Sequence, residues 1–369
     1  MTDTKKISSL QIGVLTFLLS RASLFPITQY LLKTSKQNIW MPLILGSTIS
    51  IFLILMYIYI TKYDNKLNII ELNLKMFGKI YGNLINLIIV LGVIISSAII
   101  LLNICTFIFT NYSVGIPIVP VSFLFVIVCT YCAVKGIETI CRTSQILCIS
   151  ILSLFVISLI SLIYYIDINN FKPLFHISID KVLSSSYNYI LFSVTPIFML
   201  SIIPHKIIIK EKNYTKSIIL GYISSLGITF LTLFSTIGIL GSITDIFEYP
   251  TYVVLKQIEY FHFFERVENI LSISWIFEAF VFIVITLYFL KKYVSSTFKI
   301  YKKKSNKFIT ILFSIILFLL SSILLSNSIE FKNLIINNYS YIILISLIII
   351  PILIFIRLKN NKISIAKKQ

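Results

Sequence analysis

Two charged side chains lie deep inside long apolar stretches of the sequence, and their types suit them to ligand binding, ion pairing or proton transfer. Arg21 lies about ten residues into the stretch 11–32, and Glu278 lies near the middle of the stretch 269–290. A charge at the centre of a bilayer costs about 2.5–3.5 kcal/mol, so such a side chain normally faces a cavity or an opposite charge. Arg21 is interpreted as the group that binds a ligand carboxylate, as a fixed replacement for a transported cation, or as half of a structural ion pair. Glu278 is its natural partner, with a proton relay as the alternative role.

Two apolar stretches contain small polar residues and a proline that interrupt a helix. The stretch 11–32 carries Ser-Arg-Ala-Ser at 20–23 and then Pro26, and the stretch 186–204 carries Ser-Val-Thr-Pro at 193–196. A proline inside a helix removes a backbone hydrogen bond and kinks or breaks the helix. Freed backbone groups and nearby hydroxyls can bind a small polar ligand. The residues at these two breaks are Ser20, Arg21, Ser23, Tyr189, Ser193, Thr195 and Pro196, and the family resemblance described below implies that they bind a ligand.

Three further residues are candidates for lining the same site. Asn103 and Thr106 belong to a polar stripe on the stretch 84–110. In a membrane such groups either hold helices together or line a cavity. Trp275 shares a helix face with Glu268 and is interpreted either as an aromatic wall of the site or as packing at the membrane interface.

The elements that must position these residues are membrane-spanning helices. Of the 369 residues, 57% are hydrophobic and 12% are charged, whereas a soluble domain is about one quarter charged. Apolar runs near the ~20 residues needed to cross a bilayer predict an all-α polytopic membrane protein. About ten transmembrane helices are predicted, near residues 11–32, 39–61, 84–110, 117–134, 144–166, 186–204, 217–241, 269–290, 308–326 and 340–356.

The formal charge of +18 is distributed along the chain as membrane topology requires. Most lysines and arginines fall on alternate connecting segments, which by the positive-inside rule predicts a multi-pass protein of the cell membrane with both termini cytoplasmic. The positive charge is therefore expected to serve topology and contact with the lipid bilayer, and no nucleic-acid partner is expected.

An enzyme, a metal site and a cofactor are not expected. The sequence has no H-E-x-x-H, G-x-S-x-G, Walker A or G-x-G-x-x-G motif. The pair Cys129-x-x-Cys132 lies inside the fourth predicted span without a second pair of ligands, so a structural role is favoured.

Four local patterns, in order along the chain, carry a resemblance to one family. They are Lys6-Ile7-Ser8-x-x-Gln11, Phe77-Gly78-Lys79-x-x-Gly82, Gly136-x-Glu138-x-x-x-Arg142 and Phe264-Glu265-Arg266-Val267-Glu268, the last preceded by Tyr249-Pro250 and followed by Trp275. Together they resemble the B subunits of bacterial spore germinant receptors, which belong to the amino acid–polyamine–organocation transporter superfamily.

The resemblance implies a LeuT-like fold of five plus five helices in inverted repeats, built as a single membrane domain over 1–369. The first repeat would cover about 8–166 and the second about 183–357, with a ligand site between spans 1 and 6. Spans 1 and 8 are neighbours in this fold, so Arg21 and Glu278 are expected to approach each other. Neither helix break contains the glycine that amino-acid transporters of the superfamily usually have.

The segment at about 242–268 is interpreted as an outer lid. The resemblance assigns to it Tyr249, Pro250, Phe264, Glu265, Arg266 and Glu268. We expect a short helical hairpin that packs into the outer vestibule, and the alternative is a solvated loop with aromatic residues at the headgroups.

The resemblance implies a nutrient sensor in the inner membrane of the spore. It would bind a small nutrient germinant, such as an amino acid, and signal to an A-type and a C-type receptor subunit. An amino-acid permease that works by alternating access with proton or cation coupling is the main alternative. An assembly scaffold with a degenerate pocket is a third interpretation.

Overall fold

Long apolar helices form most of the computed structural model, which describes residues 6–112, 118–209, 211–256, 268–300, 302–326 and 340–366. The helices are α1 (Ser9–Leu24), α2 (Thr28–Ser35), α3 (Trp40–Tyr63), α4 (Ile69–Tyr112), α5 (Ile118–Lys135), α6 (Ile137–Leu162), α7 (Ile179–Phe198), α8 (Tyr214–Leu240), α9 (Pro250–Lys256), α10 (Glu268–Thr297), α11 (Lys303–Ser326) and α12 (Ile350–Ala366). A π-helical segment, Leu344–Ile349, precedes α12. Two short strands, β1 (Ile7–Ser8) and β2 (Ile208–Ile209), pair in parallel.

Eight helical stretches of the described residues are long and apolar enough to cross a membrane, and they coincide with eight of the ten predicted spans. The predicted fourth span is a shorter apolar helix, Val119–Lys135. The predicted sixth span is α7, whose first half is rich in serine and tyrosine. α7 packs against α1 and α3 inside the bundle, which explains how a less apolar helix is accommodated. The chain is a multi-pass membrane protein.

The first span is interrupted at its proline, and the α-helix of the sixth span ends two residues after its proline. α1 ends at Leu24, a 3-10 turn Phe25–Ile27 containing Pro26 follows, and α2 continues the span. α7 carries Pro196 in its last turn and passes through the 3-10 turn Met199–Ile202 into extended backbone. Both interruptions follow from the missing proline N–H and the steric effect of the ring on the preceding turn.

α1 lies at the centre of the bundle and is in contact with α6, α7, α8 and α10. Its contact with α8 is closest at two glycines, where a Cβ on Gly13 would lie 2.6 Å from the carbonyl oxygen of Ser217, and a Cβ on Gly221 would meet the carbonyl of Gly13. Small residues at such points let helix backbones approach in a membrane. This packing holds the first span against α8.

α4 changes direction at Gly78, where φ is +78° and ψ is 177°. This backbone conformation is accessible essentially only to glycine. One turn later Gly82 packs against the preceding segment, since a Cβ there would lie 2.8 Å from the carbonyl oxygen of Asn73. The Asn73 amide in turn donates to Asn86 Oδ1 at 2.8 Å. The Gly-Lys-x-x-Gly pattern is therefore the sharp bend that connects an N-terminal helical segment to the long third span.

The lysine-rich helix ends lie together at one end of the bundle, which we call the basic end. There Lys62 Nζ donates to Thr215 Oγ1 at 2.7 Å, and Lys291 Nζ donates to the carbonyl of Ala133 at 2.9 Å. The pairing of β1 with β2 joins the start of the first span to the segment after the sixth at this same end. A link between the two interrupted spans is thus built into the basic end.

Candidate functional site

An ion pair joins α1 to α10 inside the bundle. Arg21 Nε lies 2.5 Å from Glu278 Oε1, and the two side chains are only 7% and 1% exposed. Helical spacing places both charges near the middle of their spans, and α1 and α10 are in direct contact. Each charge compensates the other in a region where an unpaired charge would be costly. Lys291, further along α10, points instead to the basic end, where it binds Ala133.

The two interrupted spans meet at Ser23. The Ser23 hydroxyl donates a hydrogen bond to the backbone carbonyl of Phe192 in α7. The carbonyls of Leu19 and Ser20 on its own helix lie farther from this hydroxyl, at 3.2 and 3.1 Å. In an unbroken helix the Phe192 carbonyl would accept from the N–H four residues later, but that residue is Pro196, which has no N–H. A serine of the first span therefore donates to a carbonyl that cannot receive the usual helical hydrogen bond from position 196.

Five rings form a cluster on the side of the ion pair away from the basic end, and we call it the aromatic cap. Phe107 of α4 is fully buried at its centre. Its ring centroid lies 5.7 Å from Phe25, 5.0 Å from Tyr249, 5.4 Å from Tyr252 and 5.1 Å from Trp275. Phe25 and Trp275 are also in contact, with centroids 4.3 Å apart.

The aromatic cap and the ion pair are adjacent layers between the same two helices. Phe25 lies four residues after Arg21 on the first span, and Trp275 lies three residues before Glu278 on α10. Residues three and four apart are neighbours on a helix face. Trp275 thus packs on Phe25, in the 3-10 turn that interrupts the first span.

Four buried hydroxyls gather beside the break in α7. The hydroxyls of Tyr189 and Tyr222 lie 3.3 Å apart, and those of Ser50 and Ser193 lie 3.5 Å apart. All four residues are fully buried. Gly46 makes room for the group, because a Cβ there would lie 2.7 Å from the Tyr189 ring. The cluster links α7 to α3 and α8.

The remaining candidates bind to their own helices. Asn103 Nδ2 donates to the carbonyl of Ile99 at 2.8 Å, and Thr106 Oγ1 donates to that of Leu102 at 2.9 Å. The Thr195 hydroxyl donates to the carbonyl of Leu191. Ser20 is buried, and its hydroxyl has no hydrogen-bond partner within the described part of the chain.

The segment that the sequence predicts to be a lid is described only at its two ends. Tyr249 belongs to the aromatic cap, and Pro250 begins the short helix α9. Glu268 begins α10. Phe264, Glu265 and Arg266 lie outside the described residues.

Several residues of this region were not among the sequence candidates. Phe25, Phe107 and Tyr222 are single members of a large set of apolar and aromatic side chains, so their types alone did not distinguish them. Phe192 takes part through its backbone. Its position four residues before Pro196 was the available signal, because a proline identifies the carbonyl that it leaves without a donor.

Comparison with a solved structure defines the class of the protein. A structure described as the substrate-bound outward-open state of a Na+-coupled sialic acid symporter superposes with a TM-score of 0.70. The match covers 93% of this chain and 79% of that chain at 14% sequence identity. At this identity the likeness shows the fold, which is that of a LeuT-like polytopic membrane transporter.

The particular family follows from the sequence. A family model described as spore germination protein, of the spore permease type, matches residues 6–330. Because the match covers most of the chain, the protein belongs to the spore germination protein family. No curated protein sequence matches the chain. The family and the fold are those of membrane permeases, which are not enzymes.

Proposed function

We propose that this protein is the membrane subunit of a spore germinant receptor that binds a small nutrient, such as an amino acid, between α1, α4, α7 and α10. The observation that carries the proposal is the hydrogen bond from Ser23 of the first span to the backbone carbonyl of Phe192, four residues before Pro196 of the sixth span. It lies where LeuT-like folds expose backbone groups of broken helices to a ligand. Along the first span this point lies between Arg21 of the ion pair and Phe25 of the aromatic cap.

Arg21 is the proposed anchor for a nutrient carboxylate. Its Nε is the atom next to Glu278. Within the described residues the terminal amino groups of the guanidinium have no hydrogen-bond partner. A guanidinium edge binds a carboxylate through two parallel hydrogen bonds. Glu278 would then hold Arg21 in place while the ligand occupies the other donors.

The aromatic cap is the proposed moving part. A nutrient that binds the capped state better than the open state shifts the population toward the capped state. Tyr249 and Tyr252 belong to the lid segment, so this shift would move the lid against α4 and α10. An A-type and a C-type receptor subunit would read the change in the spore inner membrane, with both termini of this chain cytoplasmic as the positive-inside rule predicts.

Germination of spores tests this proposal. Spores that lack the chain are given the wild type, Arg21→Ala or the matched surface variant Arg142→Ala, and each is tested against single amino acids and other nutrients. We expect the response to one nutrient class to return with the wild type and Arg142→Ala but not with Arg21→Ala. Full germination of the deletion spores on every nutrient, without a homologue present, would overturn the proposal.

A variant that keeps the protein intact separates binding from folding. Arg21→Met with Glu278→Leu replaces the buried pair by apolar groups of similar size, which is often neutral or stabilising. The double variant is expected at the wild-type level in the membrane and without a nutrient response. A normal response from it would show that the guanidinium does not bind the nutrient.

A permease is the competing function, and one observation bears on its coupling. The ion pair fills the contact between α1 and α10 with fixed charges, which disfavours a coupled cation at that place. Uptake of a labelled amino acid by proteoliposomes that contain the purified chain alone would favour the permease. Binding of the same amino acid without uptake would favour the receptor.

A further inference from the structure

A groove lies between α5 and α11, away from the candidate nutrient site. It has a volume of about 290 Å³ and is lined by residues between Phe123 and Thr130 on α5 and between Ile311 and Phe318 on α11. Ile127 and Ile315 in its walls are 47% and 52% exposed. The volume is about ten times what one water molecule takes in the liquid. The groove can therefore hold an elongated molecule.

The walls of the groove suit an apolar occupant. Its two hydroxyls are used within their own helices: Thr130 donates to the carbonyl of Val126 at 2.7 Å, and Ser314 donates to that of Ile311 at 2.7 Å. Side chains bonded in this way offer no donor to a neighbour. A ligand with many hydrogen-bonding groups would lose its water without compensation here.

The groove is closed at one end and flanked by positive charge at the other. The rings of Phe123 and Phe318 meet with centroids 5.6 Å apart, away from the basic end. Toward the basic end, Lys304 and Lys307 precede Ile311 by seven and four residues and are exposed. By helical spacing they continue the same face of α11 that lines the groove.

The length of this face matches one leaflet of a bilayer. From Lys304 to Phe318 the helix rises about 21 Å at 1.5 Å per residue. Half of the ~30 Å hydrocarbon core is about 15 Å, and the headgroup layer adds to it. Lysines at headgroup depth therefore stand at the mouth of an apolar groove that extends to mid-bilayer.

We propose that this groove binds an acyl chain of an anionic phospholipid from the leaflet at the basic end, and that Lys304 and Lys307 bind its phosphate. The charge of the two lysines complements the headgroup, and basic sites between transmembrane helices bind anionic lipids in this way. The site is separate from the proposed nutrient site and does not depend on nutrient binding.

Native mass spectrometry of the purified full chain tests the proposal with phosphatidylglycerol and phosphatidylcholine of identical acyl chains. The wild type is expected to retain phosphatidylglycerol in preference. Lys304→Gln with Lys307→Gln is expected to weaken that binding on the order of tenfold, because each surface lysine contributes to anionic lipid affinity. Ser314→Phe fills the groove without changing charge and is expected to weaken it as well.

The matched control variant also loses two positive charges, but on a helix that does not line the groove. Arg357→Gln with Lys359→Gln alters two exposed cations on α12 and is expected to leave retention within about twofold of the wild type. Equal retention of phosphatidylglycerol by the wild type and the Lys304 and Lys307 variant, or no preference over phosphatidylcholine, would overturn the proposal.

Photocrosslinking distinguishes a lipid from a protein partner. Ile315→p-benzoylphenylalanine places a photoreactive group in the groove wall of the full chain in its native membrane. An adduct with the mass of a phospholipid is the expected product. An adduct with another polypeptide would show that a helix of a partner covers the groove and would overturn the lipid site.

Discussion

Ser23 donates its hydroxyl hydrogen to the backbone carbonyl of Phe192, which Pro196 leaves without its helical donor. The break in the sixth span is thus compensated by the first span, and the two are connected at the centre of the bundle. A ligand that competes for this carbonyl or for the serine would alter the contact between the spans. This hydrogen bond therefore joins the first and sixth spans and is a candidate point at which a ligand could change their contact.

A double-mutant cycle tests the role of the proline in this junction. Ser23→Ala is expected to reduce the free energy of unfolding by about 1 kcal/mol, within the ~0.6–1.7 kcal/mol measured for hydrogen bonds between membrane helices. In the Pro196→Ala background the new N–H can bind the Phe192 carbonyl, so Ser23→Ala should then cost little. Unfolding followed by steric trapping in bicelles measures both costs, and Ser20→Ala is the matched control on the same helix. Equal costs of Ser23→Ala in the two backgrounds would contradict the assignment.

Removal of one member of the buried ion pair should destabilise the protein much more than removal of one member of an exposed pair. Arg21→Ala and Glu278→Ala should each reduce the free energy of unfolding by about 3–5 kcal/mol, because each leaves a buried charge without a partner. Arg142→Ala is the control, since Arg142 and Glu138 form a pair at 2.6 Å on the surface. Exposed pairs four residues apart on a helix contribute about 0.3–0.5 kcal/mol.

The charge swap completes this test. Arg21→Glu combined with Glu278→Arg restores opposite charges at the same two positions and should be more stable than either single reversal. Thermal unfolding in detergent ranks the variants. A swap less stable than both single reversals would argue against a direct pair.

The sequence predicts the membrane fold and the unusual residues inside its spans, but it does not predict which apolar side chains meet at the candidate site. Hydropathy and lysine positions predict the helical membrane fold, because the bilayer imposes length and charge rules on each span separately. Arg21, Glu278 and Pro196 stand out because a charge or a proline is unusual inside an apolar stretch. Phe107 does not stand out, since it is one of 29 phenylalanines, and only the packing of distant segments places it at the centre of the cap. The sequence also predicts α7 to be a span, although serines and a tyrosine occupy much of its first half.

The bend in α4 predicts different outcomes for three glycines. Gly78→Ala should reduce the free energy of unfolding by about 1–3 kcal/mol, because alanine does not tolerate φ of +78° with ψ of 177°. Gly82→Ala should also destabilise the protein, since its Cβ would lie 2.8 Å from the carbonyl oxygen of Asn73. Gly227→Ala is the control in the interior of α8, where no atom lies within 4 Å of the added Cβ. Removal of a helical glycine should stabilise there by up to about 1 kcal/mol. Destabilisation by Gly227→Ala equal to that by Gly78→Ala would contradict the role of the bend.

The aromatic cap predicts that one buried ring controls both stability and nutrient response. Phe107→Ala should reduce the free energy of unfolding by about 3–5 kcal/mol, because it removes a fully buried ring that contacts Phe25, Tyr249 and Trp275. Phe107→Leu keeps most of the apolar volume and should fold, but it loses the edge contacts of the ring.

If the capped state is the one that binds nutrient, its smaller population in the Phe107→Leu variant should raise the nutrient concentration needed for half-maximal germination. Phe298→Ala is the control, since this ring is 66% exposed, and it should change stability by less than about 0.5 kcal/mol. A Phe107→Leu variant with wild-type stability and an unchanged nutrient requirement would show that the cap does not take part in the response.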